Sequence, residues 1–130
     1  CLRLQCYQVR KISNSKKEKM KSTVITDFEV EGFHFYPNAP EKVSFLKSRH
    51  RHLFRIKVYY KVTDLDREKE IFIQQDYLKE YLNESYGTPC EFENMSCEMI
   101  AKEILEFSVD DGAYKVEVFE DGKGGASVEL

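Results

Sequence analysis

Three histidines, His34, His50 and His52, are the residues of this 130-residue chain best suited to hold a metal. His50 and His52 lie in Ser48-Arg49-His50-Arg51-His52-Leu53-Phe54, which runs on through Arg55-Ile56-Lys57-Val58-Tyr59-Tyr60-Lys61. The stretch alternates with period two and reads as a strand. Successive side chains on a strand point to opposite faces, so the two histidines point together with Phe54, Ile56, Val58 and Tyr60. Two histidines at this spacing, with His34 from a neighbouring strand, supply three nitrogens to a zinc ion and leave a fourth position open for water or substrate. The competing reading is a solvated basic strand among Lys47, Arg49, Arg51 and Arg55.

One carboxylate also stands out. In 113–120 the even face is Tyr114, Val116, Val118 and Glu120, so Glu120 is in phase with a buried face, where an unpaired charge is costly. Either it reaches solvent at the strand end, or it is aimed into a pocket where it accepts two parallel hydrogen bonds from a ligand.

The elements that must position these groups follow from periodicity. The first domain strand spans about 23–35, with Val24, Thr26, Phe28, Val30, Gly32 and His34 on one face and Asp27, Glu29 and Glu31 on the other. Gly32 marks a bulge or a close backbone approach. Tyr36-Pro37-Asn38-Ala39-Pro40 ends this strand, and a loop leads to the His50 strand, which predicts an antiparallel pair with an acidic row facing a basic row. A short strand is expected over 70–74, and a helix over 77–83 capped by Asp76. A second helix is expected over 93–107, where Cys97, Ile100, Ala101, Ile104 and Phe107 share a face. The strand 113–120, a hairpin at 121–125 and a last strand 126–130 complete an α+β chain: a four-stranded antiparallel sheet with two helices on one face.

Composition fits one soluble domain. No apolar run approaches the ~20 residues of a membrane span. The four cysteines (Cys1, Cys6, Cys90, Cys97) lack CxxC spacing, and reduced thiols in a cytoplasmic setting are the default expectation. Residues 1–21 carry seven Lys/Arg against one Glu, a surplus of +6; the whole chain is −3, so residues 22–130 carry −9. Without glycine-arginine repeats or an aromatic platform this arm is not read as a nucleic-acid tail. Residues 1–19 are instead expected to be a basic leader or tail outside a single domain at 20–130, with Met20 a candidate start.

From Phe28 onward the chain resembles the 6-pyruvoyl-tetrahydropterin synthase family, which includes 6-carboxy-tetrahydropterin synthase. His50-Arg51-His52-Leu53-Phe54 is similar to the family's His-Gly-His-Asn-Tyr, and His34 falls where its first-strand histidine does. Gln75-Asp76-Tyr77-Leu78-Lys79 and Glu93-Asn94-Met95 resemble its two helix openings, and Lys115-Val116-Glu117-Val118-Phe119-Glu120 resembles its Val-x-Val-Tyr-Glu-Thr. The resemblance implies a T-fold whose strands join into a barrel across subunits of a homo-oligomer, a trimer or hexamer. It further implies Zn2+ on His34, His50 and His52, with Glu120 gripping the ring of a pterin-like substrate.

The chain departs from that pattern where protons are moved. The family's cysteine before His-x-His is missing from Val43-Ser44-Phe45-Leu46-Lys47-Ser48, and no Leu-Asp-His segment separates the helices. Cys90 is the candidate substitute, with Ser44 and Glu41 weaker ones. Two functions follow: a zinc-dependent synthase or lyase acting on a dihydroneopterin triphosphate-like substrate, or a non-catalytic homologue that binds a pterin or purine-like ligand or serves as an assembly partner.

Overall fold

The computed structural model describes residues 12–130, so of the expected leader the first eleven residues lie outside the described part. A short helix α1 (Asn14–Lys19) precedes β1 (Ser22–His34). A 3-10 segment (Glu41–Lys47) leads to β2 (His50–Val62). Next come α2 (Ile71–Tyr86), β3 (Cys90–Glu93) and α3 (Cys97–Ser108). A 3-10 turn (Val109–Asp111), β4 (Ala113–Glu120) and β5 (Gly124–Glu129) end the chain. The sheet order is β3-β1-β2-β4-β5. Among the described residues no helix is long and apolar enough to cross a membrane.

The alternation read from β1 and β2 is the burial pattern. Thr26, Phe28, Val30 and His34 are buried on β1, and Phe54, Ile56, Val58 and Tyr60 on β2. The strands pair antiparallel over their full lengths, from Ser22 opposite Val62 to His34 opposite His50. Helices α2 and α3 cover this face. Leu78 and Leu82 enter from α2, and Ile100, Ala101 and Ile104 from α3. Each buried Leu or Ile contributes about 1.5–3 kcal/mol relative to exposure, so the i, i+3, i+4 stripe of α3 anchors it to the sheet. Phe107 packs beside it, stacked on Tyr81 at a ring separation of 3.7 Å.

The opposite face carries the charged rows. They meet diagonally rather than straight across: Arg55 donates twice to Asp27, at 2.9 and 2.8 Å. Arg51 donates to Glu31 at 2.7 Å.

Three local expectations are corrected. Residues 70–74 are not a strand. The Glu70 carboxylate accepts from the Ile73 N–H at 2.8 Å and caps a helix that starts at Ile71. Asp76 therefore lies inside α2, and the consecutive Ile71, Phe72 and Ile73 of its first turn stay exposed. The sheet has five strands instead of four and is mixed, because Cys90–Glu93 pairs parallel with β1. Its four residues are too short for the alternation of Cys90 and Phe92 to stand out. Finally, α3 begins at Cys97, where Ser96 accepts from the Met99 N–H at 3.2 Å. Glu93 is the last residue of β3, with φ of 56°.

Candidate metal centre and its cavity

The antiparallel register sets the three histidines together. His34 ends β1 opposite His50, which begins β2, and His52 lies opposite Gly32. The rings stand 4.6, 5.1 and 4.8 Å apart between centroids, at interplanar angles of 67°, 78° and 83°. They are therefore turned about one point rather than stacked. One ligand atom from each lies within 4.8 Å of the others.

Each ring is fixed from behind through Nδ1. His34 Nδ1 contacts the Met95 carbonyl at 2.9 Å, His50 Nδ1 the Ser48 carbonyl at 2.8 Å, and His52 Nδ1 the Asp121 carboxylate at 2.7 Å. All three partners are acceptors, so each Nδ1 carries a proton and Nε2 is the nitrogen left for a ligand. His50 Nε2 and His52 Nε2 are buried without a hydrogen-bond partner. Buried unpaired nitrogens are costly, and converging lone pairs whose opposite nitrogens are anchored are what a divalent transition metal requires. The residues fit the ion.

Glu120 closes one side. Its oxygens lie 3.3 Å from His34 Nε2 and 3.4 Å from His52 Nε2. The second is a charge contact without a hydrogen bond, so His52 Nε2 stays free of a hydrogen-bond partner. The His34 contact, opposed by burial, holds the Glu120 carboxyl below its ordinary value, with help from His52 and the Cys97 thiol. Burial pulls His34 down, but Glu120 and the Met95 carbonyl outweigh it and leave His34 raised.

The centre opens into a cavity of about 540 Å³, lined by Phe35, Tyr36 and Leu46, by Asn94–Met99, and by Glu120, Gly124 and Gly125. This falls within the range of small-molecule sites, about 300–1,000 Å³. Cys97, at the first turn of α3, lines it and donates its S–H to Glu120 Oε1 at 3.4 Å. Burial, and then Glu120, push this thiol up to about 12.

His34, His50, His52 and Glu120 thus meet at one place. Cys90 does not join them: it is 1% exposed in the core, its S–H directed at the Leu82 carbonyl, and burial pushes it up to about 11. Glu41 and Ser44 are exposed on the 3-10 segment and do not line the cavity. Sequence reasoning missed Cys97, whose helical phase made it look like core alone, and Asp121, which read as a turn residue. The Met95 carbonyl carries no sequence signal.

A mixed five-stranded sheet with two helices on one face, and three histidines gathered at the end of its central pair, define a T-fold chain with a candidate metal centre. No family model matches the sequence, and no curated protein matches it. In structure the chain is similar to 6-pyruvoyl tetrahydropterin synthase from Caenorhabditis elegans, with a TM-score of 0.61 and 13% identity over 85% of this chain and 96% of that one. It is also similar to an uncharacterized protein from Wolinella succinogenes, with a TM-score of 0.66 and 12% identity over 85% and 98% of the respective chains. At such identities the likeness speaks for the fold.

Proposed function

We propose that this chain is a zinc-dependent protein of the 6-pyruvoyl-/6-carboxy-tetrahydropterin synthase type, acting as a homo-oligomer on a dihydroneopterin triphosphate-like substrate. The observation that carries the reading is the convergence of three anchored histidine Nε2 atoms beside Glu120 at the wall of a small-molecule-sized cavity. His34, His50 and His52 would hold the ion. Zinc in such a site polarises hydroxyl or carbonyl oxygens of a ligand and makes neighbouring C–H bonds more acidic. Glu120, ionised at neutral pH, offers an acceptor for ring N–H groups and fixes the heterocycle in register. Phe35 and Tyr36 give the cavity an aromatic wall. Cys97 is the thiol at the cavity, and its proton rests on the Glu120 side; the pair takes the place of the missing family cysteine as the local proton carrier.

A second reading is favoured by that same thiol. With its pKa pushed up to about 12, Cys97 is a poor base at neutral pH, as suits a T-fold module that binds a pterin or purine-like ligand without converting it. Zinc-loaded protein incubated with 7,8-dihydroneopterin triphosphate, followed by mass spectrometry, separates the two. Loss of triphosphate with a pyruvoyl or side-chain-cleaved product is expected of the synthase. Unchanged substrate with zinc confirmed bound would sink that activity and leave the binding module.

A further inference from the structure

We infer that Asp121 is a positioning residue for the metal centre, locking His52 in the tautomer that leaves Nε2 bare. The inference rests on the histidine reading above and extends it to the β4–β5 turn. Of the three anchors behind the rings, those of His34 and His50 are backbone carbonyls, whereas that of His52 is a carboxylate. Asp121 is itself held at three points. Its N–H donates to the Leu53 carbonyl at 2.9 Å, Oδ1 accepts from the Leu53 N–H at 2.9 Å, and Oδ2 accepts from His52 Nδ1 at 2.7 Å.

Its φ of 53° is left-handed, a conformation that Asp and Asn tolerate better than most residues. Oδ1 is already committed to the Leu53 N–H, so the carboxylate meets His52 through Oδ2. A carboxylate accepts at both oxygens, and this places the proton of His52 on Nδ1. Anchors of this kind orient metal-ligating histidines and raise their basicity, and losing one typically weakens binding by about 10–100-fold.

The variant Asp121→Asn tests the polarity of the contact. Its Oδ1 can still accept from Leu53, which keeps the turn. That choice turns the Asn NH₂ toward His52 Nδ1, and a donor there drives the imidazole proton onto Nε2, the nitrogen needed by the metal. The experiment records imidazole nitrogen NMR spectra of metal-free wild type, Asp121→Asn, Asp121→Ala and the same-turn control Lys123→Ala. Zinc affinity is then measured by competition with a chromogenic chelator. Expected are an Nδ1–H tautomer for His52 in wild type and control, an Nε2–H tautomer in Asp121→Asn, a mixture in Asp121→Ala, and zinc binding weakened about 10–100-fold in both Asp121 variants. A wild-type tautomer in both Asp121 variants, or zinc affinity within about threefold of wild type, overturns the inference. If wild type takes up no zinc, the histidine reading itself fails. The tautomer comparison then decides alone whether Asp121 positions His52.

Discussion

Gly32 stands opposite His52, two residues before His34, and a Cβ built on it would lie 2.8 Å from Phe92 and 3.0 Å from Phe54. Both rings are fully packed beneath the histidines, so neither can give way freely. Gly32→Ala is therefore expected to destabilise by about 1–3 kcal/mol through overpacking, and to displace the strand that carries His34. Gly122, with φ of +69° and open space around it, gives the contrast: Gly122→Ala should cost about 1 kcal/mol from backbone alone. Urea denaturation of both variants checks the order, and an equal cost would mean that Gly32 is not sterically required. At this scale the cluster of three histidines was legible because strand parity alone aligns His50 with His52 and gives His34 the matching phase. Cys97 and Asp121 were not legible as site residues. Whether a helix-start thiol faces core or cavity, and which residue lies across from His52, depend on the β2–β4 register, which the sequence does not print.

The paired strands β1 and β2 were legible because both faces of a long alternating run agree, and burial then has one solution. Residues 71–74 show the limit: Ile-Phe-Ile-Gln is a short run of strand-favouring apolar residues, but the Glu70 cap makes it the start of a helix. Strand β3 is four residues long and is fixed by what it packs against. The expectation of facing charge rows held in kind and differed in register, since Arg55 skips the Glu29 opposite it and clasps Asp27. That clasp has a pH signature. The Arg55 hydrogen bond, against a smaller burial cost, lowers the Asp27 carboxyl from its ordinary 3.8. A group whose folded pKa is lowered stabilises above the unfolded value and loses that contribution as pH falls through the folded value. Both side chains are more than a third exposed, so the neutral-pH gap between wild type and Asp27→Asn is at most about 1 kcal/mol. The expected outcome is a gap in urea midpoint at about pH 7 that closes as the pH falls below the ordinary 3.8 and through the lowered folded value. A gap constant across that range would mean the Asp27 charge contributes nothing.

Over the whole molecule, the sheet's two edges, β3 and β5, carry backbone groups with no partner strand among the described residues. Edges of this kind are usually blunted by lysine, proline or a covering segment. Yet β5 reads Gly-Gly-Ala-Ser-Val-Glu, with none of these residues. Its outward donors can be assigned. The Leu130 N–H donates to the Tyr114 carbonyl on β4 at 2.9 Å, so by two-residue alternation Val128 and Ala126 also face β4, and Ser127 and Glu129 direct their N–H groups outward. If copies of the chain join edge to edge, as the homo-oligomer reading requires, the outward N–H of Ser127 lies in the seam. Ser127→Pro removes that donor while leaving the β4–β5 ladder its own bonds, a placement proline tolerates on an edge strand. Light scattering of wild type is expected to give a multiple of the 15.3 kDa chain mass, and of Ser127→Pro a smaller assembly with an unchanged far-ultraviolet dichroism spectrum. A wild-type mass of one chain would remove the edge-to-edge oligomer. A multimer indifferent to the proline would place the Ser127 N–H outside the seam.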